Sequence, residues 1–233
     1  MNERFIREEM LIGTEAMEKL GGARVALFGV GGVGAAVAEG LARGGVGAID
    51  LIDNDTVSVT NINRQLCALE STIGMPKVDA VAMRLADINP DLRIEKHQLF
   101  FLPDTELDLS VYDYIVDAID TVSAKVEIAR RAAAAGVRVI SCMGTGNKLD
   151  PTRLVVTDLQ KTSVCPLARV MRRELKAHGI THLKVVYSTE EPRKVFVEES
   201  HGKHPPASIS FVPTTAGFIT AGEVIRDIIG IKR

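Results

Sequence analysis

Residues 24–34 read RVALFGVGGVG, and this stretch decides the fold class. Its first five residues suit a short buried strand, and a helix of small residues is predicted at 33–43. Between them, four glycines satisfy the pattern GxGxxG: Gly29, Gly31, Gly32 and Gly34. A strand, a glycine turn and a helix in this order bring the N–H groups of the helix N-terminus close to a phosphate. The stretch predicts a nucleotide site without separating NAD from ATP.

Strands and helices continue to alternate along the chain. Further strands are predicted at 48–52, 93–100, 112–119, 137–142, 154–158 and 184–188. Further helices are predicted at 77–88, 123–135, 166–178 and 214–229, and the polar loop at 190–207 is expected to be the most mobile segment. We therefore expect an α/β fold, a Rossmann-like, doubly wound and mostly parallel sheet with an elaborated C-terminal half.

Length and composition limit the class of protein. A chain of 233 residues with 46% hydrophobic content suits a single domain, with a nucleotide-binding core at 1–160 and substrate-facing and closing elements at 161–233. No apolar run is long enough to cross a bilayer and the N-terminus is polar, so we expect a soluble, cytoplasmic protein without a membrane partner. The three cysteines form no CxxC pair, so neither disulfides nor a structural zinc ion is expected.

Charge is unevenly distributed. The net charge is −2, yet residues 161–204 hold nine Lys and Arg against five Asp and Glu. Basic residues follow a helical spacing in this part of the chain: Arg169, Arg172, Arg173 and Lys176. Such a row is typical either of a nucleic-acid-binding face or of a solvated helix flank, and the sequence leaves both interpretations open.

Polar and cationic residues follow the second predicted strand. Asp53 ends that strand, where a carboxylate can accept hydrogen bonds from ribose hydroxyls. Asn61, Arg64 and Gln65 stand in the next loop, and Lys77 lies in the first turn of a predicted helix. A lysine there opposes the helix dipole by a few tenths to about 1 kcal/mol, which indicates a function, although a lysine extended along the surface is the alternative. An adenylating site needs such cations to neutralise a triphosphate.

Asp120 is expected to end the buried strand YIVDAID at its carboxyl end. Ligands of open α/β sheets bind at this edge, so the carboxylate is a candidate for holding Mg²⁺ or its bound water. The same residue could cap the next helix, a role for which Thr121 and Ser123 compete.

These motifs in this order resemble the superfamily of ubiquitin-activating-like enzymes over roughly residues 1–160. The residues that carry the resemblance are the glycine loop, Asp53, Asp55, Asn61, Asn63, Arg64, Gln65, Lys77 and the segment 117–120. The resemblance implies a homodimer that binds ATP and Mg²⁺ and converts a carboxylate to an acyl-adenylate with release of pyrophosphate.

The resemblance also implies a role for each residue. Asp53 would hold the ribose, the phosphates would be held by Asn61, Arg64 and Lys77, and Asp120 would assist the metal. Asp55 and Gln65 count with the nucleotide-binding residues. Arg7 would reach the nucleotide of the partner subunit, with Arg4 as the competing candidate for that role.

The second half of the chain is similar to the tRNA threonylcarbamoyladenosine dehydratases. The similar segments are 144–152, 157–162, 165–168, 186–190 and 211–213. The resemblance implies that the enzyme activates the threonyl carboxylate of a modified adenosine in tRNA, after which attack within the same side chain closes a ring with net loss of water. It implies tRNA, and sulfur-transfer proteins, as partners. The chain lacks the hydrophobic C-terminal extension of some relatives, so no membrane anchor is expected.

Three alternatives remain at this point. An adenylyltransferase that activates the C-terminal Gly-Gly of a ubiquitin-like sulfur-carrier protein is disfavoured because such enzymes commonly carry paired CxxC motifs. A catalytically silent tRNA-binding scaffold would not need a complete set of cations and acids, and a nicotinamide oxidoreductase would need a further catalytic pair. Cys165 is interpreted as a structural thiol, with a thioester nucleophile as the less favoured role.

Overall fold

The glycine-loop strand is an inner strand of a seven-stranded sheet in a computed structural model that describes residues 3–195 and 206–231. The strands are β1 Arg24–Phe28, β2 Ala48–Ile52, β3 Arg93–His97, β4 Tyr114–Asp117, β5 Arg138–Cys142, β6 Leu154–Asp158 and β7 Lys184–Ser188. The helices are α1 Ile6–Ile12, α2 Thr14–Gly22, α3 Gly34–Arg43, α4 Lys77–Ile88, α5 Val122–Ala135, α6 Pro166–Ala177 and α7 Phe211–Ile229. One-turn 3-10 helices cover Glu3–Phe5, Val59–Asn61, Glu70–Thr72, Leu109–Val111, Pro151–Arg153 and Leu159–Lys161.

The strand order is β3-β2-β1-β4-β5-β7-β6, and every pair is parallel except β6 with β7. The order reverses between β1 and β4, which is the point where an open α/β sheet leaves a crevice at the carboxyl ends of its strands. The predicted doubly wound, mostly parallel sheet is confirmed.

Strands β1 and β2 are buried between the layers that cover the sheet. All of β2 is buried, as are residues 25–28 of β1, which is the pattern of a parallel sheet covered on both faces. Helix α7 packs against α3, and the contact is close because a Cβ on Gly217 would lie 2.4 Å from the carbonyl oxygen of Val33. The long last helix therefore covers the helix that follows the glycine loop.

Several element bounds differ from the predictions. The strand expected at 93–100 ends at His97, and the strand expected at 112–119 comprises only Tyr114–Asp117. The closing helix begins at Phe211 rather than 214, since Pro213 fits within a first turn. Helices α1 and α2 have no counterpart in the sequence predictions. Within the loop expected to be mobile, residues 196–205 lie outside the described residues.

Among residues 3–195 and 206–231, the structure contains no helix of the length and hydropathy that crossing a membrane requires.

Candidate active site

The glycine loop leaves β1 in a conformation that requires glycine at two positions. Gly29 has φ 84°, and a Cβ there would lie 2.8 Å from the carbonyl oxygen of Ala118. A Cβ on Gly34 would lie 1.8 Å from the carbonyl oxygen of Gly29, so only glycine permits α3 to begin directly against the end of β1. Both glycines therefore shape the loop, as the GxGxxG pattern predicts.

Asp53 holds this loop in place. One carboxylate oxygen accepts a hydrogen bond from Val30 N at 2.8 Å, and the other accepts one from Asp55 N at 2.8 Å. The residue follows β2 directly, so its position at the crevice comes from the strand register. Each oxygen keeps a further lone pair, and the carboxylate borders the cavity described next. The ribose contact implied by the resemblance stays a prediction.

A cavity of about 460 Å³ opens at the carboxyl edge of the sheet, within the size range of small-molecule sites. It collects most of the residues that the sequence singles out. Those that border it are Gly29, Gly31, Gly32, Asp53, Asp55, Asn61, Arg64, Gln65, Lys77 and Asp120. Gly34 and Arg7 do not border it.

Hydrogen bonds and an ion pair hold the side chains of Lys77 and Arg64 at the cavity. Lys77 is the first residue of α4, is 6% exposed, and places Nζ 2.6 Å from a carboxylate oxygen of Asp55. Arg64 donates from Nη1 to Thr60 O and to Asn63 Oδ1, both at 2.9 Å. Both side chains thus border the cavity with part of their donor capacity uncommitted, which is what an incoming polyphosphate requires.

Two amides complete this wall. Asn61 is buried, and its Oδ1 accepts a hydrogen bond from Ser58 N at 3.0 Å. Gln65 is also buried, and within the described residues its Oε1 has no hydrogen-bond partner. A buried amide oxygen without a partner costs free energy, so Gln65 indicates that a polar ligand group belongs beside it.

Asp120 differs from its predicted position. The strand ends at Asp117, and Asp120 lies three residues later on the exposed loop that leads to α5. It does not cap α5, because Thr121 occupies the N-cap position. Residues 118–121, which follow the strand, all border the cavity. Asp120 thus lies at the cavity, and its metal role stays a prediction.

The residues present fit Mg²⁺ only as part of a nucleotide complex. Within the described part of the chain, no group of three or more His, Cys, Asp or Glu side chains could hold a metal ion. Asp120 and Asp55 nevertheless supply carboxylate oxygens at the cavity, and Mg²⁺ is commonly held by one or two carboxylates, several waters and substrate phosphates. The donor set therefore suits a metal that arrives with ATP.

The family follows from the comparison of the whole chain with known proteins. The ThiF family model matches residues 5–233. The chain belongs to the ThiF family. Among its curated relatives, the tRNA threonylcarbamoyladenosine dehydratase of Bacillus subtilis (strain 168) is 42% identical, covering 100% of this chain and 98% of that protein. The dehydratase of Escherichia coli (strain K12) is 40% identical over 81% of this chain and 74% of its own length.

A solved structure resembles this ThiF-family protein over nearly its entire length. The structure of the E. coli dehydratase TcdA in complex with ATP has a TM-score of 0.89 and 34% sequence identity. It covers 98% of this chain and 94% of the other. The expected α/β fold and the resemblance to this group of dehydratases are confirmed.

Sequence reasoning missed a buried ionic network beneath the cavity of this ThiF-family protein. Lys125 is fully buried and donates to Asp117 Oδ1 at 2.9 Å, to Ile119 O at 3.0 Å and to Cys142 O at 2.9 Å. Ser141 donates to the other oxygen of Asp117 at 2.5 Å. The local signal is a lysine on helix α5, which also carries Glu127, Arg130 and Arg131, so without the fold Lys125 does not stand out.

The basic row of α6 is only partly available to a partner. Arg172 is half-buried and donates to Thr162 O at 3.1 Å and to the hydroxyl of Thr162, which ties α6 to the preceding 3-10 helix. Arg173 forms an ion pair with Glu174 at 2.6 Å. Arg169, Arg173 and Lys176 are exposed. These contacts hold the Arg172 side chain against the segment that precedes α6, and its part in the nucleic-acid face stays a prediction.

The cysteines of this ThiF-family protein are buried free thiols. Cys165 caps α6 through Sγ, which accepts from Ala168 N at 3.5 Å. Burial raises the pKa of Cys142 to about 11, and it also raises the pKa of Cys67. The packing of Cys165 agrees with a structural thiol, and its lack of a catalytic role stays a prediction.

Arg7 lies on α1, where it is exposed. Arg4 lies in the 3-10 helix that precedes it and is also exposed. A role at the nucleotide of a second subunit needs a residue outside its own cavity, so the position of Arg7 leaves that prediction open.

Proposed function

We propose that this ThiF-family protein uses ATP to activate the carboxylate of threonylcarbamoyladenosine in tRNA and then closes the side chain to a cyclic product. The observation that supports this proposal most strongly is the extent of the sequence similarity: the B. subtilis dehydratase matches 100% of the chain at 42% identity. The site agrees with such chemistry, because one cavity joins a glycine loop to Arg64 and Lys77.

The first step is an attack of the substrate carboxylate on the α-phosphorus of ATP. A bond forms between the carboxylate oxygen and phosphorus, and the bond to the bridging oxygen breaks so that pyrophosphate leaves. Negative charge grows on the phosphoryl oxygens during this exchange, and Arg64 and Lys77 are proposed to stabilise it. Asn61 and Gln65 would hold phosphate oxygens, and Asp53 the ribose. Bound Mg²⁺, with Asp120 and Asp55 near it, would neutralise part of the triphosphate charge.

In the second step, a nucleophile of the same side chain attacks the acyl carbon, the bond from that carbon to the AMP oxygen breaks so that AMP leaves, and the proton of the nucleophile is released. The cyclic product contains the elements of one water fewer than the starting side chain. Those elements are taken up in the conversion of ATP to AMP and pyrophosphate. Because the nucleophile is tethered to the adenylate, little entropy is lost on reaching the transition state. The protein has to exclude water from the adenylate until the ring closes.

Further parts of the proposal concern the assembly. We propose one adenylating domain over 1–233, a homodimer in which Arg7 acts on the partner's nucleotide, and a cytoplasmic location. Exposed Arg169, Arg173 and Lys176 would face tRNA. Sulfur-transfer proteins are proposed as associated partners.

One assay separates this function from its alternatives. ATP-dependent pyrophosphate release is measured with tRNA bearing threonylcarbamoyladenosine, with a carrier protein ending in Gly-Gly, and with neither, and nucleoside mass spectrometry follows the tRNA. We expect release only with the modified tRNA, together with loss of one water from the nucleoside. Stimulation by the carrier protein alone would establish the alternative adenylyltransferase, and binding of NAD without any ATP turnover would support an oxidoreductase.

A further inference from the structure

The cavity extends beyond the nucleotide residues into a second half of different chemistry. This second half is bordered by the carboxyl end of β5 and the loop that follows it, together with the starts of α6 and α7. Its principal residues are Met143, Gly144, Thr145, Gly146, Leu167 and Pro213. None of the described residues on this side carries a charge, whereas the nucleotide side carries Arg64 and Lys77.

The two halves meet at Gly32. A Cβ built on Gly32 would lie 3.3 Å from a side-chain carbon of Pro213 and 3.6 Å from Arg64 Cγ. The glycine loop thus has a proposed phosphate-binding arginine on one side and the uncharged half on the other. A group held in the uncharged half would therefore approach a nucleotide at the point where its phosphates meet the loop.

Hydrogen bonds hold the uncharged half in shape. The carbonyl of Cys142, at its base, accepts from Lys125 Nζ at 2.9 Å, and the same ammonium binds Ile119 O on the nucleotide side at 3.0 Å. Asn147 N donates to Ala207 O at 2.7 Å, while Asn147 Oδ1 accepts from Ala207 N at 2.8 Å. Because these hydrogen bonds fix the shape of the uncharged half, it is suited to orienting one reactant rather than to accepting many different ligands.

Gly144 leaves space that none of the described residues fills. It borders the cavity and is exposed, and a Cβ built on it would meet no heavy atom of the described residues within 4 Å. Its φ lies outside the left-handed region, so a side chain at this position would not strain the backbone. Neither backbone conformation nor packing against the described residues requires glycine here.

We infer that Gly144 and Thr145 form the acyl subsite, which receives the carboxylate-bearing amino-acid side chain of the substrate. This inference rests on the proposed function. Such a side chain is narrow and carries hydroxyl and amide groups, which a small-residue wall with one threonine hydroxyl and exposed backbone can accommodate. Its carboxylate would then lie at the Gly32 junction, beside the phosphorus with which it forms a bond.

The test adds side chains where the structure leaves room for them. Gly144→Ala and Gly144→Val are compared with Gly222→Ala, since Gly222 lies on α7 away from the cavity and also has no heavy atom within 4 Å of a built Cβ. We expect Gly144→Val to raise KM for the modified tRNA by about tenfold or more, with a smaller rise for alanine. The Kd for ATP, measured by calorimetry, should stay within about twofold of the unmodified protein, a difference of under half a kcal/mol. Gly222→Ala should leave both constants unchanged.

Each result has a distinct meaning. Unchanged KM for tRNA in Gly144→Val would overturn the subsite while leaving the proposed function intact. An equal loss of ATP affinity would overturn it too, by assigning Gly144 to the nucleotide half. If the unmodified protein does not dehydrate the modified tRNA at all, the proposed function fails first.

A second pair of variants keeps the test independent of the folding of the Gly144 variants. Thr145→Val removes the hydroxyl at nearly constant volume, and Thr145→Ser keeps it. We expect KM for the modified tRNA to rise in Thr145→Val and to remain near its original value in Thr145→Ser. Equal values in the two variants would overturn the role of the hydroxyl.

Discussion

Lys77 Nζ lies 2.6 Å from a carboxylate oxygen of Asp55, and Lys77 N donates to Asp55 O at 2.9 Å. The pair offsets the unfavourable position of a cation at the N-terminus of α4. Asp55 is exposed whereas Lys77 is buried, so the ion pair holds the lysine at the border of the cavity while its acid stays open to solvent.

Replacing either proposed phosphate-binding cation should abolish most of the turnover. We expect Lys77→Ala and Arg64→Ala each to lower kcat/KM on the order of a hundredfold, because each removes a charge that stabilises the transition state. Pyrophosphate release measures the effect, and circular dichroism checks the fold. Lys19→Ala is the matched control, since its ion pair with Glu15 is exposed. Normal turnover in either cavity variant would remove that residue from the proposed mechanism.

Breaking the buried ion pair between Lys125 and Asp117, beneath the cavity, should lower the free energy of unfolding. Lys125→Met leaves Asp117 buried without its cation, and breaking a buried pair in this way costs roughly 3 to 5 kcal/mol. Urea unfolding measures the difference. The double variant Asp117→Asn/Lys125→Met should lose less, because it leaves no uncompensated charge. A loss below about 1 kcal/mol for Lys125→Met, the size of an exposed pair, would contradict this account.

Asp50 should make the fold sensitive to acid. Burial raises the pKa of this carboxyl, but hydrogen bonds from Arg24, His97 and Tyr112 outweigh burial and hold the pKa below its usual 3.8. A lowered pKa in the folded state means that the stabilisation is present above 3.8 and is lost as the pH falls through the folded value. The free energy of unfolding should therefore decrease across this acid range.

The contribution of Asp50 is isolated by comparing variants. Urea unfolding as a function of pH should show a shallower acid dependence in Asp50→Asn than in the unmodified protein, and lower stability at neutral pH. Asp104→Asn, which changes an exposed acid, serves as the control and should keep the original slope. Equal slopes in all three proteins would show that Asp50 does not link folding to protons.

The exposed basic residues of α6 should govern the salt dependence of tRNA binding. If Arg169 and Arg173 contact phosphates, the double variant Arg169→Ala/Arg173→Ala should reduce the slope of log K against log salt by about 1 to 2. Filter binding at several salt concentrations measures the slope. Arg172→Ala is the contrasting variant, because it should lower stability by loosening the contact with Thr162. An unchanged slope in the double variant would show that these basic residues of α6 only form a solvated helix flank.

Local sequence was sufficient for much of the site. The glycine loop, Asp53 and Lys77 could each be placed by counting from a strand end or a helix start, because neighbouring residues determine those ends. The order of strands and helices predicted a doubly wound sheet for the same reason. The parallel sheet then brings the strand ends together at one edge, so these separate motifs share one cavity.

Contacts between residues distant in the chain required the tertiary structure. The network of Asp117, Lys125 and Ser141 joins two strands and a helix, and no spacing indicates it. The sequence pattern also did not indicate the early end of β4, which sets Asp120 on a loop, or the hydrogen bond that holds Arg172 against Thr162. The sequence alone determined which residues follow each strand, because the covalent chain fixes their order. The fold decided which of them face the same space, because burial and pairing across the sheet arise only when distant segments pack.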